Sequence, residues 1–216
     1  MNKDTIVTRS VPHIVGLSGK IGSGKNFVGE HIIPRILPKN VVPIYLAYAD
    51  QLKVEVYSRD KTKTIDYQNL YVEKTKEVRR ELQKYGTDIG RAGNKDIWVK
   101  AIDMWIMVFL ERWHHKDLIP LFIITDVRFE NEAEYIHKKK GILLRINAPK
   151  RTHIRMLQET GDDKEAYDKI IQHASETALD NYTKYDYIID NDNAQEADLE
   201  EYCVYAIENI LRIFDQ

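Results

Sequence analysis

The stretch His13-Ile14-Val15-Gly16-Leu17-Ser18-Gly19-Lys20-Ile21-Gly22-Ser23-Gly24-Lys25-Asn26 predicts a strand, a glycine-rich turn and the start of a helix. The turn has the spacing of a phosphate-binding loop, although Asn26 stands where that motif has serine or threonine. Glycines allow backbone N–H groups to point inward and phosphate oxygens to approach closely. The helix that follows adds the positive end of its dipole. The pattern therefore predicts a phosphate site at Gly22, Ser23, Gly24, Lys25 and Asn26.

The rest of the chain alternates between apolar runs and helical patterns. Strands are predicted at 13–18, 41–49, 118–125, 141–146 and 187–189, and helices at 25–36, 50–58, 74–85, 95–115, 129–139, 164–175 and 195–214. The strands are apolar without alternation and are separated by helices, which favours a parallel sheet covered on both faces. We therefore expect an α/β, three-layer fold with a mostly parallel five-stranded sheet and helices on both faces.

Composition excludes several classes of protein. The 216 residues are 43% hydrophobic, and 32 Lys+Arg against 34 Asp+Glu leave a net charge of -2. That balance is unlike a protein that binds long nucleic acids. No apolar run reaches the roughly 20 residues of a membrane-spanning helix, and the single Cys203 can form neither an internal disulfide nor a metal cluster. We expect an intracellular protein that binds neither a nucleic-acid polymer nor a membrane.

Two charged residues follow the third predicted strand. Asp126 lies where a parallel sheet presents residues to its ligand crevice, and a carboxylate there can hold Mg²⁺ or a metal-bound water. The alternative is that Asp126 caps the helix that starts near Phe129. Arg128 offers a planar cation for a phosphate, and a surface ion pair is its alternative.

The predicted helix 74–85 carries a second set of cations. Lys76, Arg80 and Lys84 each follow a glutamate by three residues, a pattern typical of a solvated, charge-balanced face. Arg79 lies outside this ladder, at the edge of the apolar stripe, and is our candidate cation for an acceptor phosphate. Gly86 fits a helix C-terminal turn, and Thr87 offers a hydroxyl to a ligand. Trp98 could stack on a base or, from its helical spacing, pack in the core.

Several blocks together resemble one family. They are Gly19 to Asn26, Leu46 to Lys53, Val78 to Asp88, Trp98-Val99-Lys100 and Asp126-Val127-Arg128. In this order, spanning residues 14 to 190, they resemble the bacteriophage-type deoxynucleoside monophosphate kinases. That resemblance implies a P-loop kinase fold with a small lid, and Mg²⁺-dependent transfer of a phosphoryl group from ATP to a deoxynucleoside monophosphate in the cytoplasm, or the host cytoplasm for a viral chain.

The resemblance also implies roles for individual residues. Lys20 and Gly22 to Asn26 would face ATP, and Asp126 and Arg128 would lie between donor and acceptor. Asn26 and Asp126 would contact Mg²⁺ directly or through water, although the family usually has Asp-Thr where this chain has Asn26-Phe27. Arg151 and Arg155 resemble the lid arginines that reach over phosphates, unless they form a solvated helix start. The acceptor pocket would be lined by Asp50, Lys53, Arg79, Gly86, Thr87 and Trp98.

On this reading residues 1–216 form a single P-loop kinase domain. It contains a helical acceptor-binding region at 50–116 and a lid-like segment at 148–176. The sequence leaves the oligomeric state open, a homodimer included. Two alternatives also stay open: a P-loop kinase of another small acceptor, such as dephospho-coenzyme A or phosphomevalonate, and a nucleotide-hydrolysing switch or motor subunit. Against the second, Val127 stands where a water-activating glutamate would follow Asp126.

Overall fold

A computed structural model describes residues 11–62, 64–72, 75–115 and 117–214. Glu73, the first acid of the predicted charge ladder, lies outside these residues. Within them the sheet has five strands: β1 His13–Ser18, β2 Val41–Leu46, β3 Ile119–Val127, β4 Ile142–Asn147 and β5 Tyr187–Asp190. Their spatial order is β2-β3-β1-β4-β5, and every neighbouring pair is parallel. The predicted α/β fold with a parallel five-stranded sheet is confirmed.

The connections between strands are helical. The α-helices are α1 Lys25–Phe27, α2 Ile33–Ile36, α3 Tyr48–Arg59, α4 Lys76–Gln83, α5 Gly90–Gly93, α6 Ile97–Glu111, α7 Glu130–Lys138, α8 Pro149–Thr160, α9 Lys164–Ile171, α10 Ala174–Thr177 and α11 Glu196–Phe214. The described part of the chain also has three π-helical segments, at Val28–Ile32, Gln68–Val72 and Lys84–Ile89. No helix in the described ranges is long and apolar enough to cross a membrane.

Two apolar clusters cover the two faces of the sheet. On one face, buried side chains of α11, such as Cys203 and Ile207, pack with Val28 and Ile32 against Leu17. On the other face, the cluster joins α3, α6 and α7 to the sheet through side chains that include Leu52, Ile106, Ile136, Phe122 and Ile124. Burial of apolar area on both faces stabilises the three-layer arrangement.

Several predicted boundaries need correction. The strand predicted at 41–49 ends at Leu46, because α3 begins at Tyr48 and its first N–H groups bind distant Asp126. The helix predicted at 164–175 is interrupted at His173, whose ring accepts from Ser175 N and caps α10.

Gly86 does not end a helix, contrary to our prediction. It lies within the π-helical segment Lys84–Ile89, which continues directly from α4. A β-carbon at Gly86 would lie 2.8 Å from Leu52 Cδ2. The glycine therefore serves close packing between this segment and α3, not a left-handed turn.

Candidate active site

The glycine-rich turn between β1 and α1 wraps around the Lys25 ammonium. Gly22 and Gly24 have φ values of 72° and 92°, in the region that favours glycine. Lys25 Nζ donates to the carbonyl oxygens of Gly19 and Lys20 at 2.8 and 2.9 Å. The side chain is buried with its charge at the centre of the turn. This is the arrangement of a phosphate-binding loop, with the ammonium held by the backbone of the loop itself.

The surroundings of Lys25 identify the charged groups of the site. Burial lowers the pKa of Lys25 well below its usual value, and the neighbouring Arg128 and Arg145 lower it further. The carboxylates of Glu176 and Asp126 act in the opposite direction. Predicted residues Lys25, Asp126 and Arg128 are therefore brought together, with two charged residues that were not predicted, Arg145 and Glu176.

Neighbouring segments pack closely against the loop. A β-carbon at Gly22 would lie 2.6 Å from Arg155 Cβ, so α8 lies directly over this glycine. On the other side, Asn191 Nδ2 donates to Ser23 O at 2.8 Å. Among the residues that the structure describes, none forms a hydrogen bond with the buried Ser23 Oγ. The loop is thus enclosed by the start of the predicted lid and by the segment after β5.

Asp126 lies one residue before the end of β3, and both of its carboxylate oxygens accept hydrogen bonds. Oδ1 accepts from Tyr48 N at 2.7 Å and Oδ2 from Ala49 N at 3.0 Å, so the carboxylate caps α3. Burial raises the pKa of Asp126, and these two hydrogen bonds oppose the rise. Our alternative, that Asp126 caps the helix starting near Phe129, is wrong. The backbone N–H groups of Arg128 and Phe129 donate to Glu132 instead.

The donor atoms near the loop fit an indirect contact to Mg²⁺. Each Asp126 oxygen keeps a lone pair beyond its hydrogen bond, which suits a metal-bound water. Asn26 is exposed. Across the described ranges, no three His, Cys, Asp or Glu side chains cluster so that they could hold a metal ion.

Arg128 forms a partly buried ion pair beside the loop, where our alternative was a surface ion pair. Its guanidinium pairs with Glu176, whose other oxygen accepts from Ile21 N of the loop at 2.9 Å. Lys20, the next loop cation, binds Asp180 at 2.9 Å. Two carboxylates from the end of the predicted lid and just beyond it therefore bind the phosphate loop and its arginine.

The predicted acceptor residues Asp50 and Lys53 form a small cluster on α3. Asp50 Oδ2 accepts from Ala47 N at 2.8 Å, and Oδ1 accepts from Lys53 Nζ at 3.0 Å. The Lys53 ammonium also lies 3.9 Å from the centre of the Tyr71 ring. Burial and the nearby Asp50 carboxylate raise the pKa of Tyr71 to about 12. This cluster offers a cation, an aromatic ring and a carboxylate on the side of the sheet that carries α3.

Trp98 and Gly86 are structural in this arrangement. The Trp98 side chain is 4% exposed within the apolar cluster, and its Nε1 donates to Gly86 O at 2.9 Å. A buried indole has no open face on which a base could stack. Of the two readings of Trp98, the structure places the residue in the core. Thr87, next to Gly86, is half-buried.

Arg79 points toward the predicted lid. Its guanidinium lies 3.1 Å from Glu159 Oε2 on α8, and Glu159 Oε1 lies 2.9 Å from Arg155. Arg80 is exposed, as the charge ladder predicts. Arg151 is exposed, and its backbone N–H, with that of Lys150, donates to Asp192. Because Arg155 also packs on Gly22, α8 connects the Arg79 side of the crevice with the phosphate loop.

Sequence reasoning missed three charged residues of the site: Arg145, Glu159 and Glu176. Arg145 lies beside Ser18 in the sheet and donates to Ser18 Oγ at 3.1 Å. With Lys20 and His153 it lines a cavity of about 250 Å³ between β4, α8 and α9. Arg145 could have been found from the sequence, because a charged residue within an otherwise apolar strand indicates a functional or paired position. The two glutamates carry no local signal, because both lie outside the helices that the sequence predicts.

Comparison with known proteins supports the resemblance. No family model matches the chain. It is 27% identical over 154 residues to a protein of Acanthamoeba polyphaga mimivirus named "Putative deoxynucleotide monophosphate kinase", covering 63% of this chain and 74% of that protein. The viral relative supports the resemblance to the deoxynucleoside monophosphate kinase family that the sequence blocks carry.

Solved structures of small P-loop kinases cover most of the chain. Dephospho-CoA kinase from Campylobacter jejuni aligns with a TM-score of 0.46 at 19% identity, covering 93% of this chain and 98% of that one. Shikimate kinase from Bacteroides thetaiotaomicron aligns with a TM-score of 0.46 at 16% identity and the same coverage.

Proposed function

We propose that this chain is a kinase that transfers the terminal phosphoryl group of ATP to a deoxynucleoside monophosphate. One observation carries the proposal: Arg155 of α8 packs on loop residue Gly22 and shares the Glu159 carboxylate with Arg79. The cation of the acceptor side and the phosphate loop therefore face one crevice. Two anionic ligands meeting there would have their charges neutralised from both sides.

The donor side rests on the loop and Lys25. Backbone N–H groups of Gly22 to Asn26 would bind the phosphates of ATP, and the Lys25 ammonium would leave the carbonyls of Gly19 and Lys20 for the outer phosphates. Exchanging two neutral acceptors for a charged phosphate is favourable in a buried site. Lys20 and Arg128 add charge beside the loop.

The acceptor side rests on Arg79, with Asp50 and Lys53 near the nucleoside. A monophosphate at Arg79 would replace the Glu159 carboxylate, because both groups are anions that accept hydrogen bonds from a guanidinium. Thr87 would offer a polar contact to the sugar or base. We propose residues 50–116 as this acceptor region and residues 148–176 as the lid, with Arg151 and Arg155 as its cations.

Transfer in this crevice needs alignment more than acid–base chemistry. The attacking phosphate oxygen already carries charge, so no strong base is required, and positioning with charge neutralisation lowers the barrier. Lys25 and Arg128 would hold the transferring group. Mg²⁺, when bound with ATP, would neutralise charge on the phosphates. Asp126, held by the N–H groups of Tyr48 and Ala49, would orient a water of that ion.

A panel of acceptors tests the proposal. Purified protein is incubated with labelled ATP and Mg²⁺ and with each deoxynucleoside monophosphate, the matching ribonucleotides, dephospho-coenzyme A or phosphomevalonate. We expect a labelled nucleoside diphosphate from at least one deoxynucleotide, and its loss in Lys25→Ala. Product from dephospho-coenzyme A or phosphomevalonate alone would identify a kinase of another small acceptor. Hydrolysis of ATP without any phosphorylated acceptor would favour a switch or motor subunit.

A further inference from the structure

Glu176 occupies a position that suits an anionic ligand. Its side chain is 8% exposed at the end of the lid-like segment. One carboxylate oxygen pairs with the Arg128 guanidinium, and the other accepts from the backbone N–H of Ile21 at 2.9 Å. The carboxylate is also close enough to Lys25 to favour the charged form of that lysine. A loop N–H and a guanidinium thus bind one carboxylate beside the loop lysine.

The guanidinium of Arg128 and the ammonium of Lys25 are the cations that a transferring phosphoryl group requires. A phosphate loop binds its ligand through backbone N–H groups and its lysine, and a neighbouring arginine neutralises the charge that develops. A carboxylate and a phosphate oxygen accept the same charge-assisted hydrogen bonds. Both cannot use Arg128 at once, since two anions in one buried site repel.

We propose that Glu176 is an internal stand-in for the terminal phosphate of the donor, and that the bound nucleotide must displace it from Arg128 and Ile21. This inference rests on the proposed function of the loop. Displacement would also affect the lid-like segment, because α10 is held at the loop by Glu176 and by the neighbouring Asp180–Lys20 pair. Nucleotide binding would therefore release the end of this segment.

The test uses tripolyphosphate, which probes the phosphate site without a base or an acceptor. Calorimetry measures its Kd with the full chain, with Glu176→Gln and with Glu165→Gln. Glutamine keeps the size of the side chain and removes the competing charge, so we expect about tenfold tighter binding in Glu176→Gln. Glu165 pairs with Lys169 on exposed α9 and is the matched control, with an unchanged Kd.

Several outcomes separate this inference from the function on which it rests. If the unmodified chain binds tripolyphosphate and Glu176→Gln binds it equally or more weakly, the stand-in role is wrong, while the phosphate loop stands. If the unmodified chain binds neither tripolyphosphate nor ATP, both proposals fail.

Hydrogen exchange gives a second readout that needs no variant. With saturating tripolyphosphate, we expect faster amide exchange at residues 174–180, because the anchor at Glu176 has been displaced. Slower or unchanged exchange at residues 174–180 would show that Glu176 keeps its place and would overturn the inference.

Discussion

The carboxylate of Glu159 lies 3.1 Å from the guanidinium of Arg79, across the crevice between α8 and α4. Its second oxygen lies 2.9 Å from Arg155, the residue that packs against the glycine-rich loop. A single carboxylate therefore joins the proposed acceptor cation to the proposed lid. The relationship places Arg79 at the crevice and leaves Arg80 on the exposed face.

Arg79→Ala should weaken binding of the monophosphate. Loss of a charge-assisted hydrogen bond costs about 1.5–3 kcal/mol, so we expect a KM for the acceptor raised about 10- to 100-fold. Arg80→Ala, the matched control one residue away, should change the KM less than about twofold. Steady-state kinetics at saturating ATP measure both. Equal damage from the two substitutions would contradict the assignment of Arg79 to the crevice.

Lys25→Ala should abolish phosphoryl transfer without unfolding the protein. The ammonium is held by the carbonyls of Gly19 and Lys20 and is the buried cation of the loop. We expect turnover to fall at least about 100-fold, the usual effect of removing one group that stabilises a transition state. Lys138→Ala, on the exposed end of α7, is the control. Circular dichroism checks the fold, and near-normal turnover of Lys25→Ala would remove this loop from the mechanism.

Binding of tripolyphosphate should weaken as pH rises from 7.5 toward 10. Burial lowers the pKa of Lys25, so its ammonium loses the proton at a lower pH than an exposed lysine does. Over the interval between the lowered pKa and the ordinary value, the unfolded chain binds more protons at this site. Stability from Lys25 therefore rises with pH there, while anion affinity falls. Calorimetry across this range measures the affinity.

Lys25→Arg is the comparison for this pH dependence. A guanidinium keeps its charge throughout this pH range. The affinity of Lys25→Arg for tripolyphosphate, where binding is retained, should therefore not fall in the way expected for the unmodified chain. A flat profile for the unmodified chain from pH 7.5 to 10 would show that Lys25 does not titrate in this range and would contradict the prediction.

Trp98→Phe should lower stability more than it lowers acceptor affinity. The substitution leaves Gly86 O without its indole partner in a buried position, which costs about 1–3 kcal/mol. Trp105→Phe is the control, because Trp105 is on the same helix and 51% exposed. Its cost should stay below about 0.5 kcal/mol. Urea unfolding and the acceptor KM are measured together. A large rise in KM at unchanged stability would instead support base stacking by Trp98.

The fold was predictable because its signals are local. Apolar runs without alternation indicate buried parallel strands, and the glycine spacing indicates a tight turn with inward N–H groups. Boundaries were less predictable where a distant group decides them. The start of α3 at Tyr48 has a local cap, Asp50, and also a distant one, Asp126, which is 78 residues away in the chain. No local pattern around Tyr48 contains that carboxylate.

The sequence predicted the positively charged residues of the candidate site better than the negatively charged ones. Lys25 and Arg128 stand in recognisable positions after strands, and the structure brings them together. Glu159 and Glu176 lie outside the predicted helices, and glutamate usually faces solvent. Their contacts with Arg79 and Arg128 arise only when α8 and α10 pack over the crevice.

From the order of its residues alone, this chain specifies a parallel sheet and a phosphate-binding turn, because strand burial and loop conformation follow from neighbouring side chains and glycines. Only the tertiary structure decides which carboxylate neutralises which arginine, and that Trp98 is core rather than surface. Coulomb and hydrogen-bond energies depend on distances of a few ångströms between groups far apart in the chain. Those distances are set by the packing of helices on the sheet.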